Sequence, residues 1–239
     1  MLPQTPTPPM AHDASGPMQP RLLLTAGPTH EPIDEVRYLA NRSSGRLGIA
    51  LAEGAAARGW SVTLLLGPTS RGCSDTRVQT HRFRTTADLE SLLHTHLPAC
   101  DALVMAAAVA DYRPASASTG AKIRRSGERM SLELESTPDL LAGCSRRRRP
   151  EQLLVGFALE PRSELDASAR RKLDRKGVDL IVANPLETMD ADSIEATLYG
   201  PEGIVDATGR PILKVAFADW LLDRIGAGVE QRIAAYTDC

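Results

Sequence analysis

The feature that most restricts the possible folds is a regular alternation of short apolar runs with longer stretches of helical period. The runs lie at 21–26, 61–66, 78–83, 102–107, 152–157 and 179–183, each bounded by Gly, Pro or polar residues. Helix candidates lie at 43–58, 87–97, 138–147, 163–175 and 213–225. The first helix carries Leu47, Ile49, Ala50, Leu51 and Ala55 on its apolar side, with Gly59 placed as a C-cap. Alternation of this kind specifies an α/β chain whose mostly parallel central sheet is covered by helices on both faces.

One segment interrupts the pattern. Lys122-Ile-Arg-Arg125, Ser126-Gly127-Glu128-Arg129 and Met130-Ser-Leu-Glu-Leu-Glu135 read as strand, turn and strand of an inserted β-hairpin. Lying between a sheet strand and the next helix, it is placed to act as a flap over a site. Residues 194–199 and 203–207 suggest a small extra strand pair before the last helix. Residues 1–20, rich in Pro, Thr, Met and Gln, are expected to form a disordered leader, and 21–239 one domain.

Composition removes several functional classes. The formal net charge is −2, so there is no global attraction to nucleic acid or to an anionic membrane. Aromatic residues make up 4%, too few for base-stacking platforms. Cys73, Cys100, Cys144 and Cys239 are scattered without a C-x-x-C pair, which reads as reduced cytosolic thiols. His94 and His96 have no nearby cysteine or carboxylate cluster to complete a metal set, and the metal ligands stay unassigned. Neither a secretory signal nor an apolar run of membrane-spanning length is present, so a cytoplasmic location is expected.

Ligands of open α/β sheets bind at the carboxyl ends of strands. The first strand ends in Thr25-Ala-Gly-Pro-Thr29, and the first helix opens with Asn41-Arg-Ser-Ser-Gly-Arg-Leu-Gly48. Ser43 or Ser44 can cap that helix, and its free N–H groups and positive dipole end suit a phosphate. Gly45 and Gly48 permit close approach of a ligand or of the neighbouring strand. An ordinary N-cap with packing glycines fits the same residues. Three motifs are absent: G-x-G-x-x-G after the first strand, the P-loop, and the Tyr-x-x-x-Lys pair of short-chain dehydrogenases. Lys172 and Lys176, four residues apart, share a helix face and can converge on one phosphate, or belong to a solvated basic face with Arg170, Arg171 and Arg175.

Five blocks then occur in order. They are Thr25-Ala-Gly-Pro-Thr-His-Glu-Pro-Ile-Asp34 with Val36-Arg37 and Asn41-Arg-Ser-Ser-Gly45; Met105-Ala-Ala-Ala-Val-Ala-Asp-Tyr-Arg113; Lys122-Ile-Arg-Arg125; Val155-Gly-Phe-Ala158; and Ala169-Arg-Arg-Lys-Leu-Asp-Arg-Lys-Gly177, running on to Ala183-Asn184. Over about residues 21 to 225 the chain resembles the phosphopantothenoylcysteine synthetases, Rossmann-like three-layer ligases of coenzyme A biosynthesis. The resemblance implies joining of 4′-phosphopantothenate to L-cysteine through an acyl-nucleotide, with release of pyrophosphate and then nucleoside monophosphate. It implies Mg²⁺ with CTP, or with ATP, as co-substrate. It also implies a homodimer with shared active sites and a decarboxylase acting as a separate partner. Because only the leader precedes the first block, no FMN is expected.

The resemblance also distributes roles. Gly27, Ser43, Gly45, Gly48, Met105, Ala106, Ala107, Lys122, Phe157, Lys172, Lys176 and Asn184 match nucleotide-side positions. Asn41 matches the amide that holds the pantothenate acyl group and assists its conversion, with Lys122 as the flap cation beside it. Ala107 and Ala108 offer backbone groups to the substrate. Asp111 accepts from a ribose or from a pantothenate hydroxyl, and Arg37 reaches the neighbouring subunit's phosphopantothenate. Two departures stand out: Thr137 replaces the family's usual asparagine, and Ala158-Leu-Glu-Pro161 replaces a smaller, more polar run. An atypical NAD(P)-dependent oxidoreductase and a silent nucleotide-binding module are the competing readings.

Overall fold

The computed structural model describes residues 19–116, 121–125, 127 and 129–237; residues 1–18 of the expected leader lie outside the described residues. One sheet is built from β1 (Arg21–Ala26), β2 (Ser61–Leu66), β3 (Gln79–Arg82), β4 (Ala102–Met105), β5 (Leu153–Glu160), β6 (Leu180–Pro185), β7 (Thr197–Gly200) and β8 (Gly203–Ala207). The helices are α1 (Arg46–Ala57), α2 (Thr86–His96), α3 (Leu140–Arg147), α4 (Leu165–Lys176) and α5 (Lys214–Thr237). Across the sheet the order is β8-β7-β6-β5-β4-β1-β2-β3. β1 to β6 are parallel to one another, while β7 and β8 add antiparallel strands at one edge. The order therefore reverses between β1 and β4, which opens a crevice beyond their carboxyl ends.

The apolar runs have a direct cause. Leu22, Leu24 and Ala26 of β1 pack with α1 and α5, through residues such as Leu51, Phe217 and Leu221. Leu23, between them, packs on the other face with Leu93, Leu141 and Leu173 of α2, α3 and α4. Successive strand residues point to opposite faces, so a strand covered on both reads as a near-continuous apolar run.

Several expectations need correction. The expected extra strand pair before the last helix forms as β7 and β8, and β7 also hydrogen-bonds to β6, so the pair extends the main sheet with Leu198 fully buried. α5 continues past 225 because Gly226 and Gly228 let it lie close to Trp60 and Leu153, with the next turn burying Val229. The hairpin of 122–125 with 130–135 is not formed among the described residues, and residues 126 and 128 of its turn lie outside them. Instead Leu134–Ser136 pairs with Tyr112–Pro114. The backbone of Ile123 is satisfied elsewhere, donating to Asp34 Oδ2 at 3.0 Å and accepting from Arg37 Nη2 at 2.8 Å, so it has no need of a strand partner.

α1 begins at Arg46 rather than 43. Its N-cap is Gly45 at φ 71, with no side-chain cap, so neither Ser43 nor Ser44 fills that role. Gly48 lies where α1 crosses the end of β1: a Cβ there would sit 2.4 Å from the Ala26 Cβ. Both atoms are anchored to backbone, so the helix would have to lift off the strand. Gly48→Ala is expected to cost about 1–3 kcal/mol, the usual range for overpacking. Gly72→Ala, where a Cβ meets nothing within 4 Å, should stay within about 0.5 kcal/mol of wild type. Urea unfolding of the two variants checks this, and equal stability would refute the close-packing account.

Candidate functional site

The loops after β1 and β4 are fastened together across the point where strand order reverses. Ala108 N–H donates to Gly27 O at 2.9 Å, and Thr29 N–H to Ala108 O at 3.3 Å. Thr25 Oγ1 accepts from Ala107 N–H at 3.0 Å, and Thr29 Oγ1 from Ala110 N–H at 3.0 Å. Thr137 closes the set by donating its hydroxyl to Ala110 O at 2.6 Å. The N–H groups of Ala107 and Ala108 are thus engaged within the chain. Thr137, the departure from the asparagine pattern, has a structural task at the cleft wall.

These loops form the floor of a cleft of about 700 Å³, within the range of small-molecule sites. Asn41, Ser43, Gly45 and Gly48 line it from the loop before α1 and from that helix's first turn. Met105, Ala106, Ala107, Ala108 and Asp111 line it from the β4 loop. Phe157 and Asn184 come from β5 and β6, and Lys172 and Lys176 from α4. Asn41 Nδ2 donates to Val109 O at 2.9 Å, which pins its amide to the floor. Asn184 Nδ2 donates to Thr188 Oγ1 at 2.7 Å. Leu159, from the unusual run after Phe157, also lines the wall.

Gly27 and Lys122, expected at the nucleotide, lie elsewhere, and Arg37, expected to reach a partner's site, also lies outside this cleft. Gly27, at φ 80, forms the turn under Gly45 rather than the cleft wall; a Cβ on it would meet Gly67 N at 3.3 Å. Arg37 and the exposed Lys122 are not in the cleft of their own chain. Arg37 Nη2 is 2.5 Å from Asp34 Oδ2, and the pair holds Ile123, next to Lys122, by its N–H and carbonyl.

Cations crowd the cleft, most of them beside a carboxylate. Lys172 Nζ lies 3.0 Å from Glu160 Oε1, Lys176 Nζ 3.2 Å from Asp139 Oδ1, and Arg42 Nη2 2.5 Å from Asp190 Oδ2. Arg46 pairs with Asp192. Burial opposes ionisation of Asp139, but the Ala142 N–H and Lys176 outweigh it and hold the carboxyl below its ordinary value. Burial, and then Arg46, push Lys214 below an ordinary lysine. Arg42, Arg46, Lys214, Thr25, Thr29 and Thr137 escaped assignment from the sequence. Arg42 and Arg46 flank the Ser-Ser-Gly motif and could have been found there; Lys214, distant in sequence, carries no local signal.

Among the described residues, no group of three His, Cys, Asp or Glu side chains could hold a metal ion. Mg²⁺ commonly keeps its waters and binds through phosphate oxygens with one or two carboxylates. Asp111 in the cleft wall fits that lesser demand. Burial pushes Cys100 up to about 12 and Cys144 to about 11, so neither is a thiolate nucleophile at neutral pH.

A family model described as the DNA/pantothenate metabolism flavoprotein C-terminal domain matches residues 18–228. A cysteine/cysteine sulfinic acid decarboxylase from an unknown prokaryotic organism is 43% identical over 167 residues, covering 70% of this chain and 46% of that protein. The coenzyme A biosynthesis bifunctional protein CoaBC of Mycobacterium bovis is 41% identical over 199 residues, covering 78% and 47%. The chain thus spans about half the length of these curated relatives. Among solved structures, the C-terminal domain of a coenzyme A biosynthesis bifunctional protein CoaBC aligns with TM-score 0.76 at 32% identity, covering 90% of this chain and 98% of that one. A Cab2 variant in complex with phosphopantothenate-cysteine shares the fold at TM-score 0.74 and 19% identity, covering 91% and 89%.

The Asp34–Arg37 pair gives a pH signature. Arg37, opposed by burial but joined by the N–H groups of Val36, Ile123 and Arg37, holds the Asp34 carboxyl well below the usual carboxylate range. A depressed folded-state value means the stabilisation is present above the unfolded value, about 3.9, and is lost as pH falls through the folded one. Asp34→Asn is expected to be less stable than wild type at neutral pH, with the difference shrinking below about pH 4. Urea midpoints across that range measure it; a difference independent of pH would contradict the assignment.

Proposed function

The chain belongs to the family of DNA/pantothenate metabolism flavoprotein C-terminal domains, and from that membership we propose that its cleft joins 4′-phosphopantothenate to L-cysteine using a nucleoside triphosphate, CTP in preference to ATP. One observation carries the proposal. Residues from separate segments between 41 and 184, each matching a synthetase position, converge on a single cation-lined cleft. The decarboxylase name borne by one relative belongs to a protein more than half of which lies outside the matched part.

The chemistry suits the wall. The pantothenate carboxylate attacks the α-phosphorus, the bond to the β-phosphate oxygen breaks, and pyrophosphate leaves with that electron pair. The cysteine amine then adds to the acyl carbonyl, loses a proton, and expels the nucleoside monophosphate. Both steps gather negative charge, so fixed cations and donors contribute more than covalent participation by the protein. Lys172 and Lys176 supply charge from α4, and the free N–H groups of the first turn of α1 supply a dipole end. The Asn41 amide donates to the acyl oxygen without changing charge. Phe157 lies against the base, and Asp111 accepts from a hydroxyl or holds the metal. A divalent ion brought by the triphosphate would neutralise phosphate charge there. Arg37, outside its own cleft, would serve the partner's site in a homodimer, and a decarboxylase activity would be its partner.

Pyrophosphate release from purified protein tests this, with Mg²⁺, 4′-phosphopantothenate and either CTP or ATP, first without and then with cysteine. The expected result is phosphopantothenate-dependent release, an acyl-nucleotide mass that cysteine consumes, and faster turnover with CTP. Lys172→Met should lower kcat/KM for the nucleotide by about ten- to a hundredfold, the worth of one charge-assisted hydrogen bond. No release with either nucleotide, from folded protein, would overturn the ligase reading.

A further inference from the structure

Beneath the cleft floor lies a buried polar cluster that the chemistry above does not use. Glu31 is 3% exposed, Thr29 0% and Thr86 1%. Glu31 sits in the short strand His30–Pro32, and its Oε1 accepts both the Thr86 N–H at 2.8 Å and the Thr86 hydroxyl at 2.7 Å. The Thr86 and Thr29 hydroxyls are 3.4 Å apart, and Thr29 Oγ1 accepts the Ala110 N–H at 3.0 Å. Each hydroxyl has a single proton. That of Thr86 goes to Glu31, so across the 3.4 Å between the two threonine oxygens, long for a hydrogen bond, only Thr29 has a proton to offer. The outcome is a one-way relay from Ala110 N–H through Thr29 and Thr86 to a carboxylate. Such chains strengthen when they end on a charged acceptor.

Glu31 also caps α2, because the Thr86 N–H it accepts is the first amide of that helix. α2 has its own capping box: Thr85 Oγ1 accepts the Asp88 N–H at 3.1 Å, and Asp88 Oδ2 accepts the Thr85 N–H at 2.9 Å. Burying a further carboxylate is costly unless it is well hydrogen-bonded, and Glu31 meets that condition both at the first amide of α2 and at the end of the relay. At the opposite end, Ala110 follows Val109, whose carbonyl accepts the Asn41 amide.

We propose that Glu31, which does not line the cleft, is a positioning residue for Asn41: through Thr86 and Thr29 it holds the segment 108–110 and so aims the Asn41 amide across the cleft. The role rests on the reading of Asn41 given above, but the coupling itself does not.

The test uses the full chain and two readouts. In ¹⁵N NMR, Glu31→Leu and Thr29→Val should each speed exchange of the Ala110 amide at least about tenfold and move the Asn41 side-chain NH₂ resonance, as expected when a hydrogen bond is lost. Glu31→Gln, which keeps an oxygen acceptor for Thr86, should retain both signals. In turnover, Glu31→Leu should lower kcat roughly tenfold with nucleotide KM unchanged, through misplacement of a positioned group. It should cost nothing more in an Asn41→Ala background, because residues acting through one another are not additive. An unmoved Asn41 resonance in folded variants, or rate losses that multiply in the double variant, would overturn the proposal. Should Glu31→Leu fail to fold, Thr29→Val carries both arms. Wild type without turnover would count against the ligase reading alone, and the NMR arm would still decide the coupling.

Discussion

The cleft depends on how the ends of β1 and β4 are tied where strand order reverses. Parallel neighbours share hydrogen bonds along the sheet, but beyond their carboxyl ends the loops diverge and their peptide groups need other partners. Here Gly27 and Ala108 continue the pairing by one step, and the hydroxyls of Thr25, Thr29 and Thr137 take up the next groups. The floor is therefore rigid before any ligand arrives. That rigidity lets a short amide such as Asn41 hold one direction, since its own partner, the Val109 carbonyl, belongs to the fastened segment.

Charge in the cleft is balanced locally. Lys172 and Lys176 face Glu160 and Asp139, and Arg42 and Arg46 face Asp190 and Asp192. Such pairs are half in water and worth little as stability. Their value is in keeping long side chains ordered at the cleft wall, so that an incoming anion exchanges one partner for another instead of capturing a freely rotating chain. Glu160 belongs to the run after Phe157 in which the sequence departs from the family pattern, and Lys172 answers it directly.

Much of this was legible in the residues. The sheet strands were readable because burial on both faces leaves apolar runs with polar ends, and β1 and β2 were bounded correctly on that basis. The serines suggest a cap and an earlier start to α1, whereas Gly45, in a left-handed conformation, takes the cap position. The flap was misread for a comparable reason: alternation at 130–135 is a local signal, while the partner strand Tyr112–Pro114 and the Asp34–Arg37 clamp on Ile123 are long-range choices. The convergence of Asn41, Phe157, Lys172 and Asn184 followed from motif resemblance. The threonine fastenings and Lys214 did not, because a hydroxyl or an ammonium acquires its meaning only from what folding places within 3 Å or so of it.

The cleft draws its wall from segments as far apart as Asn41 and Lys214, and every sheet strand from β1 to β6 is joined by a crossover rather than a hairpin. Non-local pairing of this kind forms slowly and late. No fragment of the chain can own part of the site, and a competent cleft appears only when the sheet is complete. The converse follows by mass action: a molecule that fills the cleft binds only the finished fold and withdraws it from the unfolding equilibrium as a whole. Occupancy of the site and survival of the entire sheet are then a single quantity, so the ligand concentration around the protein also sets its lifetime.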